Sequence, residues 1–206
     1  MSTMDDTLAT QIIREPSVRL VGRLTIDETE LNGFLEDEGV DLITIHARLN
    51  GEKFCRKPRW ETIGSIRHTF AVPILVNGGI FSVADAKSSL EQSGADGLMI
   101  GRAAYGQPWL PGRAARYLAT GKDPGDPAPD DRAALIRGHF EAMLIHYGRE
   151  LGLKNMRKHF GSYVTRLLGD RPLGKAWRRR LCESDDVEFV RTSLGELFLA
   201  HVGAAA

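Results

Sequence analysis

The sequence predicts an α/β region built on a parallel sheet, followed by an all-helical region. Two observations carry that prediction. Over the first half, short runs rich in Ile, Val and Leu recur between helical stretches and show no polar alternation, the pattern of strands buried on both faces. Past a break rich in proline and glycine, the apolar periodicity is helical throughout.

Taken in order, residues 1–17 read as a loose lead-in, and residues 18–24 (VRLVGRL) form a candidate strand. Residues 27–38 set Leu31, Phe34 and Leu35 at helical spacing, with Gly39 placed to close the helix. Residues 40–45 (VDLITI) make a strand ending at His46. Residues 58–70 make a helix, with Pro58 in its first turn and Ile63 and Ile66 inward. Residues 72–76 (VPILV) are the next strand, ending at Asn77, Gly78 and Gly79. Ser82 caps a helix over residues 83–92, with Asp85 at the third helical position of a capping box. Residues 97–100 (GLMI) form the last strand, ending at Gly101 and Arg102. The region spans residues 18–119.

Residues 120–131 (TGKDPGDPAPDD) hold three prolines, two glycines and four aspartates and read as a linker. In residues 132–206, three apolar stripes predict a small three-helix bundle. The first holds Ile136, Phe140, Met143, Leu144, Tyr147 and Leu151. The second holds Met156, Phe160, Tyr163, Val164 and Leu167, and the third Val187, Val190, Leu194, Leu197 and Phe198.

Across 206 residues, 27 basic side chains balance 27 acidic ones, so whole-chain charge selects no partner. Its distribution is uneven. Residues 1–50 carry ten acidic and four basic side chains, whereas residues 149–180 carry ten basic and two acidic. The second segment is a candidate polyanion surface or a solvated helix face. Two cysteines, Cys55 and Cys182, give no disulfide framework and no metal-ligand spacing, as expected in a reducing cytoplasm. No apolar run reaches the length of a membrane span, and the first ten residues do not read as a secretory signal.

The chemistry collects at the strand ends. Asn77, Gly78 and Gly79 after one strand, and Gly101 and Arg102 after the next, make a candidate phosphate cradle. Glycines let backbone N–H groups approach an anion, and a guanidinium adds a charge-assisted contact. Two glycines after a strand also make an ordinary tight turn. His46 is a candidate donor to a cofactor ring or substrate, or a satisfied loop histidine. Cys55, beside Arg56 and Lys57, is a candidate reactive thiol or an ordinary loop cysteine.

The stretches IHARLNGEKFCRKPRW, VPILVNGGI and GADGLMIGRAAYGQPWL resemble the tRNA-dihydrouridine synthases. HYGRELGLKNMRKHFGSYV is similar to the helical region of their bacterial B subgroup. The resemblance runs from about residue 18 to about residue 198. It implies the last three to four β/α units of a TIM barrel that binds FMN, followed by a helical tRNA-binding domain. It also implies reduction of the uridine C5=C6 bond in tRNA, with NADPH as reductant, in the cytoplasm. By match, His46 contacts the flavin, and Asn77, Gly78, Gly79, Gly101 and Arg102 hold its phosphate and ribityl region. Arg157, Lys158 and His159 face tRNA.

The sequence departs from the family pattern in places. The first-strand MAPM motif and the asparagine-cysteine-proline loop with the acid cysteine have no counterpart. VRLVGRL offers arginines where a lysine is usual, HARL stands for the usual HGRT, and NGG for NGD. The expectation is therefore a truncated or inactive synthase, with no matched catalytic residue and the remaining half supplied in trans. The alternatives are a non-catalytic RNA-binding remnant of the family and an unrelated phosphate-binding barrel.

Overall fold

The structure is a computed structural model that describes residues 39–48 and 57–203. The candidate strand at 18–24, the helix at 27–38 and Cys55 lie outside the described residues. The chain is mixed α/β and mostly helical, with a three-stranded parallel sheet in the order β1-β2-β3.

The strands are β1 (Ile43–His46), β2 (Ile74–Asn77) and β3 (Gly97–Met99). The crossover from β1 to β2 holds α1 (Trp60–Ile66) and a 3-10 turn, Arg67–Thr69. The helix is shorter than residues 58–70 predict, because its last turn tightens into that 3-10 segment. The crossover from β2 to β3 is α2 (Val83–Ser93). Its start is the capping box legible in the sequence: the Asp85 N–H donates to Ser82 Oγ at 3.1 Å, and Asp85 accepts from the Phe81 N–H at 3.0 Å. Its end is Gly94, in the left-handed region at φ 60°.

Asp96 fixes where β2 and β3 begin. Its carboxylate accepts the Ile74 N–H at 2.8 Å and two bonds from the Arg67 guanidinium, while its own N–H reaches the Ile74 carbonyl. Those bonds, led by the Ile74 amide, hold the carboxyl below its ordinary pKa. Ile63, Ile74, Val76 and Ala86 are buried in one hydrophobic cluster over the sheet.

After β3 come a 3-10 turn, Arg102–Ala104, and α3 (Leu110–Thr120), closed by Gly121 at φ 69°. Four helices follow: α4 (Pro129–Tyr147), α5 (Arg149–Leu168), α6 (Pro172–Glu183) and α7 (Val187–Gly203). They share a second hydrophobic cluster centred on Phe140, Met156, Phe160, Val164, Leu181 and Leu194.

Two expectations are corrected. The three predicted helices are four, because α6 buries only Leu181 and Gly174 and so writes no long apolar stripe. The stripe from Ile136 to Leu151 is not continuous either. Gly148, at φ 77° and ψ 168°, ends α4 and starts α5, and this leaves Tyr147 and Leu151 exposed. The second and third stripes are core, with Leu167 partly buried at the edge. No helix of the described residues is long and apolar enough to cross a membrane.

Candidate functional site

Parallel pairing brings the predicted strand-end residues into one row. His46 is the register partner of Asn77, and Asn77 of Met99, so the three chain exits leave the sheet side by side. The Asn77 side chain bridges two of them: its amide N–H donates to the Met99 carbonyl at 2.7 Å. Ala47 extends the ladder beyond β1 by donating to the Asn77 carbonyl at 2.8 Å, and Ala47 in turn accepts the Arg59 N–H at 2.8 Å.

Gly78 and Gly79 turn the chain with φ of 106° and 73°. Side chains are excluded there on two grounds, since that backbone disfavours them and the space is filled. A Cβ on Gly78 would lie 3.0 Å from the His46 ring, and one on Gly79 would lie 2.5 Å from Pro58. The indole N–H of Trp60 donates to the Gly78 carbonyl at 2.9 Å and pins the turn from below. Gly101 differs: a Cβ there would meet nothing within 4 Å, so the chain exit after β3 is open.

Two guanidinium groups act on the row at His46. The His46 imidazole is held below its ordinary pKa by burial first, then by the neighbouring guanidinium groups of Arg48 and Arg102. It is therefore neutral at pH 7, with one ring nitrogen a donor and the other an acceptor. Trp60 is the positioning residue that strand-end reasoning passes over, and Arg48 belongs to the first strand end without being read there as a site residue. Arg48 carries a signal in the sequence, two residues beyond His46; Trp60 carries none, since it acts through a carbonyl 18 residues away.

Arg157, Lys158 and His159 are consecutive on α5 and, at about 100° per residue, project to three different places. Arg157 donates to the Ser184 carbonyl at 2.8 Å and to Asp185 at 2.5 Å, holding the turn between α6 and α7. Lys158 is exposed. His159 points inward and meets Tyr105 and His139 edge to face, at centroid distances of 5.4 and 4.7 Å. Ion pairs engage many of the other cations of residues 149–180, including Arg149 with Glu188, Arg166 with Asp126, Arg179 with Glu183 and Arg180 with Glu196. Among the described residues, Lys158, Arg171 and Lys175 make no ion pair. The basic run is thus only partly available to an outside anion.

Strand ends that carry His-Ala-Arg, Asn-Gly-Gly and Gly-Arg, together with this helical segment, find their match in one family. The profile described as "Dihydrouridine synthase (Dus)" matches residues 17–198. The chain belongs to the dihydrouridine synthase family. Its similar relatives include a probable tRNA-dihydrouridine synthase of Rhodobacter capsulatus, 38% identical over 71% of this chain and 47% of the relative. A tRNA-dihydrouridine synthase B of Pseudomonas putida is 34% identical over 74% of this chain and 44% of the relative. A probable tRNA-dihydrouridine synthase of Rickettsia prowazekii is 31% identical over 82% of this chain and 50% of the relative. The chain therefore spans about half the length, or less, of these curated relatives.

Proposed function

We propose that this chain forms the FMN-phosphate and tRNA-facing part of a tRNA-dihydrouridine synthase, its sheet being a segment of a TIM barrel. The observation that carries the reading is the row of strand exits, where Asn77, Gly78, Gly79, Gly101 and Arg102 adjoin a histidine held below its ordinary pKa by burial and then by Arg48 and Arg102. The residues fit a phosphate-bearing flavin. Positive φ at Gly78 and Gly79 leaves backbone in place of side chains, the exit at Gly101 is open, and Arg48 and Arg102 make an anion welcome.

When bound, FMN supplies hydride chemistry, accepting reducing equivalents from NADPH and delivering them to a uridine C5=C6 bond. Gly101 and Arg102 hold the phosphate, with charge-assisted bonds worth about 1.5–3 kcal/mol. His46, as a neutral imidazole, donates one hydrogen bond toward the cofactor and carries no charge that would compete with Arg102 for it. Asn77 orients the exits of β2 and β3 through the Met99 carbonyl. Exposed cations of α5 and α6, Lys158 foremost, contact tRNA phosphates.

FMN titration of the purified chain tests the reading, read by flavin absorbance and quenching. Arg102→Ala is expected to weaken binding at least tenfold. Unchanged affinity in that variant would move the cradle elsewhere. A wild-type chain that binds tRNA and not FMN would favour an RNA-binding remnant.

A further inference from the structure

Tyr105 stands at the seam between the strand-end row and α5. It closes the 3-10 turn Arg102–Ala104, with its N–H donating to the Arg102 carbonyl at 3.1 Å, and it is 59% exposed. The turn is held firmly. Gly106 has φ 80°, and a Cβ there would sit 2.6 Å from the Ser162 carbonyl oxygen, so the backbone presses directly on α5. Gln107 ties the same turn together through the Ala103 carbonyl at 2.9 Å.

Behind the exposed ring runs a chain of rings. His159 meets Tyr105 at 5.4 Å, His139 meets His159 at 4.7 Å, and His139 Nδ1 shares a 2.9 Å hydrogen bond with the Tyr163 hydroxyl. Tyr163 is buried in the helical core. Burial, chiefly, holds both imidazoles below their ordinary pKa, so the backing is neutral at pH 7. Lys158, exposed beside His159, supplies the nearby cation.

We propose that the Tyr105 ring is a stacking platform for an unpaired nucleobase of RNA, with the exposed Lys158, next in the chain to the His159 that backs the ring, holding a phosphate of the same strand. A fixed, accessible aromatic ring on a surface that also carries cations is the arrangement by which proteins hold single-stranded bases, because every base offers a π-face and every linkage a negative charge. A protein partner would call for a continuous apolar patch, whereas this ring packs edge to face on the His159 imidazole. The proposal rests on RNA being the substrate in the reading above, and it adds a contact outside the flavin row.

The test is binding of an unmodified tRNA transcript to the full chain, by fluorescence anisotropy over a range of salt concentrations. Tyr105→Leu keeps apolar bulk against His159 but removes the π-face. It is expected to weaken binding roughly 5- to 150-fold with the salt slope unchanged. Tyr105→Trp is expected to bind at least as tightly as wild type. Lys158→Ala is expected to lower both affinity and slope, the slope by somewhat under one unit. If Tyr105→Leu binds as wild type while Lys158→Ala weakens binding, the platform is overturned and the RNA reading stands. A loss that Tyr105→Trp does not restore would assign the ring a structural role and overturn the platform too. A wild-type chain that binds no tRNA overturns both.

Discussion

The strand-end row and the helical region put side chains in place by different means. At the row, backbone does the work. Register sets His46 opposite Asn77, and glycines at positive φ clear the space around them. In the helical region, side chains do it. Large buried residues fix four helices, and the surface is then tied by ion pairs such as Arg191 with Glu141 and Arg157 with Asp185. One lesson is that the same residue type means different things in the two places. Arginine near the row acts on a histidine and lowers its pKa, whereas arginine on α5 and α6 mostly ties helices together through ion pairs. A second is that the two regions should fail differently under mutation.

The largest effect is expected in the helical core. Phe160 is fully buried and packs on Phe140 at a centroid distance of 5.6 Å. Phe160→Ala should destabilise the helical region by about 3–5 kcal/mol, from lost transfer energy and the cavity left behind. Urea unfolding followed by far-UV circular dichroism measures it. If the helical region owns its stability, this variant should lower its midpoint while FMN affinity in the absence of urea changes little. A single shared transition that takes the FMN site with it would mean the two clusters cooperate as one unit, and the contrast would weaken.

Much of this organisation is readable from the residues. The three strands, the Ser82–Asp85 cap and the glycine exits follow from local chemistry, since each depends on neighbours a few positions apart. The family is legible for the same reason, because its motifs are contiguous. What is hidden depends on distant partners. α6 escapes periodicity because only Leu181 among its apolar side chains is buried, Leu173 being exposed and Trp177 and Cys182 only partly covered, and Gly174 enters by backbone approach, a Cβ there meeting the Gly169 carbonyl. The continuous stripe through Tyr147 fails because hydrophobic spacing survives a glycine that reverses the chain. The partial neutralisation of the basic run is invisible because Arg166 pairs with Asp126, 40 residues away. Tyr105 reads as one aromatic in a loop until α5 is packed behind it.

Glycines sharpen the comparison at an intermediate scale. Gly79→Ala combines φ 73° with a Cβ 2.5 Å from Pro58, and it should cost about 1–3 kcal/mol or displace the loop. Gly101 has a negative φ of −100° and open space around it, though its ψ of −108° lies between the helical and extended regions, so Gly101→Ala should cost less than Gly79→Ala. Gly138, within α4 and equally open, should tolerate Ala with a gain of about 0.5–1 kcal/mol. Thermal melts of the three variants check the ranking. Equal losses at Gly79 and Gly101 would mean that backbone conformation does not set the row.

The smallest effect lies where the two regions touch. Asp126 accepts the Trp109 indole N–H at 3.0 Å, Arg113 at 2.5 Å and Arg166 of α5 at 3.0 Å, while Asp123 accepts two further bonds from Arg113. Burial alone would raise the Asp126 pKa, but the bonds from Trp109 and Arg166 outweigh it and the net shift is downward. The Arg113 bonds bring Asp123 down to about 2 from an ordinary 3.8. Both folded-state pKa values lie below the unfolded ones. The stabilisation is therefore fully present above the ordinary carboxylate range and is lost as pH falls below that range through the folded values, which for Asp123 is about 2. Most of it is solvent-screened, so Asp126→Asn should cost under about 1 kcal/mol at pH 7. The sharper readout is Trp109, followed as the difference in tryptophan emission between the chain and its Trp109→Phe variant. That difference should change as pH falls below the ordinary carboxylate range in the wild type and be largely flat there in Asp126→Asn. An identical acid response in both would mean that the seam is held by the pressing of Gly106 on α5, and that this carboxylate cluster contributes nothing to it.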